Sequence, residues 1–183
     1  AAIKLNPKDP QSLYSRGSAL AEKREYERAI ADFDATIKLN GSFAAAYNDR
    51  GAAHSALGNT DRAVADFDQA VRLNPNFDIA YNNRGIALRL RGDIERSIGD
   101  FDRAIRLNPN LASAYHNRGL SLSERGDHDR AIADFTQAMK LDPNDVTAFN
   151  DRAIAYGAKG DNDRAIKDFD QVIKLDPANA VAL

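Results

Sequence analysis

An all-α fold of stacked antiparallel helix pairs follows from three features of this 183-residue sequence. First, Arg-Gly recurs at Arg16-Gly17, Arg50-Gly51, Arg84-Gly85 and Arg118-Gly119, with Arg152-Ala153 completing the series, each 34 residues after the last. Second, Phe33, Phe67, Phe101, Phe135 and Phe169 keep the same step, as do Leu39, Leu73, Leu107, Leu141 and Leu175. Third, apolar residues within each step fall at helical spacing and are punctuated by Gly and Pro. A fixed period of this size marks a repeat array, in which stacking buries what one helix pair cannot.

The elements follow in order. Residues 1–9 read as the tail of a preceding second helix, with Ala2, Ile3, Lys4, Leu5 and Pro7 in their columns. Full units occupy 10–43, 44–77, 78–111, 112–145 and 146–179, and 180–183 begin another, so 1–183 is a single array. The first unit carries Leu13 where the later ones carry Tyr47, Tyr81, Tyr115 and Phe149. Pro7, Pro75, Pro109, Pro143 and Pro177 close their units, and Gly41 takes that place once. The third unit shows the local logic. Tyr81, Gly85 and Leu88 mark one helical face; Gly92-Asp93 supplies a left-handed stop and an N-cap. The second helix then runs from Ile94 to about Leu107, with Ser97, Ile98, Phe101, Ala104 and Ile105 inward. Asn108-Pro109 ends it, because Pro cannot continue a helix. Gly85 and Ala104 are small where helices approach, and Phe101 fills the larger space. No polar capping element is legible at either end, which predicts a piece of a longer array with uncapped, apolar ends.

These columns resemble the tetratricopeptide repeat, whose pattern is W-x₂-L-G-x₂-Y…A-x₃-F…P. The aromatic series stands at its Trp place. Ala29, Ala63, Ser97, Ala131 and Ala165 each precede their Phe by four, and the Gly and Pro series complete the match. The resemblance covers essentially the whole chain. It implies an α-α superhelix, a solenoid with right-handed twist, whose first helices line a concave face, and a protein-interaction role typical of bacterial-style arrays.

Composition narrows the function. Hydrophobic residues at 43% and charged residues at 28% describe a globular chain. Lys plus Arg is 25 against 27 for Asp plus Glu, so nothing draws the net charge of −2 toward nucleic acid. With no cysteine, thiolate catalysis, disulfides and Cys-based metal centres are excluded. No apolar run reaches the ~20 residues that span a bilayer. The chain reads as soluble. The cytoplasm is favoured, and the periplasm and secretion stay open. His54 falls in the column of Leu20, Leu88 and Leu122 and reads as a core-edge residue; His128 lies in a turn; His116 alone faces the groove. No two His share a helix face at metal spacing and there is no phosphate loop. The expectation is therefore no catalytic residue, no cofactor and no metal.

Charged columns run through every unit. Arg28, Arg62, Arg96, Arg130 and Arg164 precede Asp32, Asp66, Asp100, Asp134 and Asp168 by four. Asp34, Asp68, Asp102 and Asp170 precede Lys38, Arg72, Arg106 and Lys174 by four. Along-helix pairs on a solvated face are one reading. The other starts from a departure from the family pattern: Arg16, Arg50, Arg84, Arg118 and Arg152 stand where it has Leu. Each would then pair with the Asp of its own unit across the interhelical seam.

The ligand face is read by column. Tyr14, Asn48, Asn82, His116 and Asn150 are followed by Ser15, Asp49, Asn83, Asn117 and Asp151. An Asn side chain both donates and accepts, so a row of them can hold an extended backbone without reading its sequence. The arrangement resembles the asparagine ladder of peptide-binding members, with Asn83 and Asn117 matching that column and Asp49 and Asp151 approximating it. Asn is equally an ordinary soluble surface residue. Ile79, Ile86, Leu90 and Leu120 give the face an apolar middle, with Arg89 beside it, that either seats a peptide or pads the packing. The carboxylate clamp of chaperone-binding members is missing, because the Tyr14, Asn48, Asn82 column holds no Lys and the Ser18, Ala52, Ile86 column no Asn. The expected function is thus a non-catalytic adaptor binding a protein or peptide. The alternatives are a scaffold that self-associates through its uncapped ends and a targeting segment of a larger protein.

Overall fold

The computed structural model describes residues 9–176. Among them are ten α-helices and no strand. They are α1 (Pro10–Glu22), α2 (Tyr26–Leu39), α3 (Ala44–Ala56), α4 (Thr60–Leu73), α5 (Asp78–Leu90), α6 (Ile94–Leu107), α7 (Ala112–Glu124), α8 (His128–Leu141), α9 (Val146–Ala158) and α10 (Asn162–Leu175). The partial units expected at 1–9 and 180–183 lie outside the described residues, Asp9 excepted. Asp9 caps α1, accepting from the Ser12 amide at 2.7 Å, and Pro10 opens the helix where its missing N–H costs nothing.

The turns explain why the helices stop. Gly58, Gly92, Gly126 and Gly160 end the first helices at φ from +75° to +88°, a region that penalises a Cβ. The first unit has Arg24 there, at φ +62°. Second helices end at Asn40, Asn74, Asn108, Asp142 and Asp176. The first four turn the chain by accepting, through the side chain, from the amide two residues on; the Asn74 and Asn108 bonds to Asn76 and Asn110 are both 3.1 Å. This holds at Asn40 too, where Gly41 replaces the proline.

Two compact units divide at Gly92 and Asp93. In the first, α1 pairs with α2 and α3 with α4; α2 packs on α3 and α4 on α5. Phe33 and Phe67 are fully enclosed, and Ala63, Val64, Phe67, Ala87 and Leu88 form one core cluster. In the second, α8 lies between α7 and α9, with Ile98, Leu122, Ala131, Phe135 and Ala155 clustered. Gly119 leaves room for Phe135: a Cβ there would stand 2.7 Å from the ring Cε1. The buried hydroxyls of Ser97 and Ser121 bond each other at 2.9 Å.

The recurrent Asp column is buried, with Asp32, Asp66, Asp100, Asp134 and Asp168 each 5–7% exposed. This corrects the solvated-face reading. Arg118 grips Asp134 through Nε and Nη2, both at 2.7 Å; Arg50 grips Asp66 at 2.9 and 2.5 Å, and Arg152 grips Asp168 at 2.8 and 2.7 Å. Arg16 holds Asp32 in the same way. The along-helix cations go elsewhere: Arg28 pairs with Glu25, Arg96 with Asp93, Arg130 with Asp127 and Arg164 with Asp161. A second correction concerns Asp34, Asp68 and Asp102. They bind Arg50, Arg84 and Arg118 of the following repeat, at 2.6, 2.7 and 2.6 Å, in place of the Lys38, Arg72 and Arg106 of their own helices. One guanidinium thus bridges two acids, its own repeat's and its predecessor's. Hydrogen bonds to those acids, Asp66 for Arg50 and Asp134 for Arg118 foremost, raise both arginines further above their ordinary range.

Candidate functional site

The exposed face of the first helices carries the residues singled out in the sequence. Their columns are joined between consecutive repeats by hydrogen bonds 35 positions apart. The Tyr14 hydroxyl donates to Asp49 at 2.7 Å, the Asn83 amide donates to Asn48 Oδ1 at 3.1 Å, and His116 Nε2 lies 2.7 Å from Asp151 Oδ2. Asn48 also donates to Asp49 at 2.9 Å, and Asn150 to Asp151 at 3.3 Å. Asn48 and Asn82 are buried, at 5% and 7% exposure. Asp49, Asn83, His116, Asn117, Asn150 and Asp151 are half-buried. Part of the polar row therefore fastens one repeat to the next. Burial, and after it the Asp49 carboxylate, pushes the Tyr14 hydroxyl up to about 12.

The apolar residues divide differently. On α5, Ile79 is 48% exposed and Leu90 65% exposed. Ile79, Asn83, Ile86 and Leu90 follow one another at helical spacing, so they share one stripe. Ile86 and Arg89 are half-buried. In the second unit Leu120 packs against the core cluster, whereas Ile154 on α9 is 57% exposed.

A cavity of about 380 Å³ opens on this face in the first unit, between α1, α2 and α3. Ala52, Ala53 and Ala56 line it with Tyr26 and Phe33, and Glu22 and Asp49 add two carboxylates. The Asn columns do not mark it. The signal was size: Ala52 and Ala56 stand where the next repeat has Ile86 and Leu90.

His54 is buried, at 8% exposure, and its Nδ1 has no hydrogen-bond partner among the described residues. Burial lowers its proton affinity. Among the described residues no cluster of three or more His, Asp or Glu is arranged to hold a metal ion, and no helix is long and apolar enough to cross a membrane.

A family model described as Tetratricopeptide repeat matches residues 1–45, 48–112 and 116–180. No curated protein sequence matches the chain. Solved structures do. YrrB, a TPR protein with an unusual peptide-binding site, is 25% identical over 99% of this chain and 93% of its own, with a TM-score of 0.78. MamA from Desulfovibrio magneticus RS-1 is 20% identical over 92% and 96%, with a TM-score of 0.83. TTC0263, a thermophilic TPR protein of Thermus thermophilus, is 22% identical over 93% of each chain, with a TM-score of 0.73.

Proposed function

The chain belongs to the tetratricopeptide-repeat family, whose fold is a protein-interaction module, and from that premise we propose that it is a non-catalytic adaptor that holds a peptide segment on its first-helix face. The carrying observation is the α5 stripe. Ile79 and Leu90 are half-exposed or more at its two ends, with Asn83 and Ile86 between them. Apolar side chains of this size left in water beside amide donors and acceptors suit an extended partner, which contributes both a backbone and side chains. The peptide-binding site of YrrB supports the reading. Asn48, Asp49, Asn82, Asn83 and Arg89 would border the segment on the first unit; His116, Asn117, Leu120, Asn150 and Asp151 form the corresponding row on the second. Buried Asn48 and Asn82 act by positioning their neighbours.

The test is capture from source-cell lysate, with mass spectrometry, using this protein beside an Ile79→Asp, Leu90→Asp variant. Both positions are exposed, so helicity and melting temperature should match. Partners retained by the first bait and lost by the second support the reading; identical captures sink it.

End-to-end self-association is a second reading, supported by α10. Ile166 and Ile173 on that helix are 58% and 50% exposed and would supply an apolar contact for a second copy. Light scattering at rising concentration separates the two: a constant monomer mass removes the scaffold.

A further inference from the structure

The cavity between α1, α2 and α3 gives the partner a chemistry. It is not a general feature of the repeat. Ala52 and Ala56 leave it open, and the same columns one repeat on carry Ile86 and Leu90. Its two carboxylates are absent one repeat on, and where the pair returns three repeats on, as Asp151 and Glu124, Leu120 and Ile154 stand in place of Ser18 and Ala52. Asp49 and Glu22 become Asn83 and Ala56 one repeat on. At about 380 Å³ the cavity falls at the low end of the ~300–1,000 Å³ range of sites that enclose a small group.

Charge decides what fits. No basic residue lines the cavity. Among the described residues Asp49 accepts hydrogen bonds only from neutral donors, the Tyr14 hydroxyl and the Asn48 amide, and no cation pairs with it. Glu22 forms no ion pair among the described residues and is exposed. An apolar floor beneath two unpaired carboxylates is complementary to a side chain with an alkyl stem and a cationic head. Tyr26 adds an aromatic ring for that cation to lie against.

We infer that this cavity seats a basic side chain, arginine or lysine, of the partner peptide, with the stem against Ala52 and Ala56 and the cation held by Glu22 and Asp49. The inference rests on the first-helix face being a peptide site and deepens that reading by selecting basic peptides.

A random peptide library displayed on phage is selected against the full chain, and enriched peptides are measured as synthetic fluorescent probes. Arginine or lysine should be enriched. Binding should weaken about tenfold or more in Glu22→Gln or Asp49→Asn, the scale of one charge-assisted hydrogen bond, and should fall as salt rises. Ala52→Ile, Ala56→Leu fills the cavity with residues the next repeat already carries, so it should fold and lose these peptides. Circular dichroism and a thermal melt check that each variant folds. Enriched peptides that lack basic residues, ignore the cavity variants and yet lose binding in Ile79→Asp, Leu90→Asp overturn the cavity inference and leave the groove reading standing. Basic peptides insensitive to Glu22, Asp49 and the filled cavity also overturn it. A library that yields no binder overturns both.

Discussion

At Arg118 a guanidinium stands where the repeat pattern carries leucine, and the side chain serves two acids at once. Nε and Nη2 hold Asp134, Nη1 holds Asp102, and the group lies 5.7 Å from the Tyr115 ring centroid. The Asp134 side chain is 8% exposed, so its charge relies on that pairing. Removing one partner of a buried pair costs about 3–5 kcal/mol, because the other charge is stranded, whereas replacing both can be nearly neutral. Arg118→Ala should therefore lower stability in a urea melt far more than Arg118→Leu combined with Asp134→Asn; equal losses would refute the seam. Half of this seam was legible, because an Arg in a leucine column needs a nearby acid and the Asp sixteen residues on supplied it. The other half was not, since Asp34 and Asp102 had a cation four residues away on their own helices. A second residue-scale prediction concerns His54. Its folded-state proton affinity is depressed by burial, so the unfolded chain takes up the proton first as pH falls below about 6.5. Stability is then lost as pH drops through the unfolded value and levels off below the folded one. His54→Leu, the residue of neighbouring repeats, should remove that loss. Urea midpoints at pH 7.5 and pH 5 measure it, and an unchanged pH slope in the variant would count against it.

At the scale of elements, the turns were the most legible part of the chain, because Gly, Asn and Pro act locally. The stops at Gly58, Gly92, Gly126 and Gly160 follow from positive φ. Arg24 is the exception and carries a testable cost. It holds φ +62° with a Cβ present, which disfavours the left-handed region by about 1–2 kcal/mol, offset in part by the ~0.5–1 kcal/mol entropy cost of glycine. Arg24→Gly should stabilise the α1–α2 pair by about 0.5–1 kcal/mol, read as a higher melting temperature. A lower one would mean that the Arg24 side chain contributes more than its backbone strain costs. The first-helix face was less legible than the turns. Two adjacent polar columns look solvent-facing in sequence, but Asn48 is buried and accepts from Asn83 of the next repeat. Only the offset of 35, one repeat plus one residue, encodes that join. It pairs Tyr14 with Asp49 and His116 with Asp151 through different chemistries, so no single residue type marks it.

For the molecule as a whole, the described helix contacts join elements consecutive in the chain or one apart. Stability should then be close to a sum of repeat terms and nearest-neighbour terms. The neighbour terms are concentrated in identifiable bonds. In the second unit these are Arg118 with Asp102, Arg152 with the Thr136 hydroxyl at 2.9 Å, and His116 with Asp151. A lesion at one of them should stay local. In Arg118→Ala, native-state hydrogen exchange read by mass spectrometry should show faster exchange in α7 and α8, a smaller change in α6 and α9, and none in α1 and α2. The distinction is physical. Local opening exposes only the amides of the elements that lost a partner, whereas all-or-none unfolding would lower protection everywhere by the same free energy. A uniform loss from α1 to α10 would overturn the nearest-neighbour account. It would also imply that a partner bound on one repeat stabilises every other, while the local pattern confines that stabilisation to the repeats it touches.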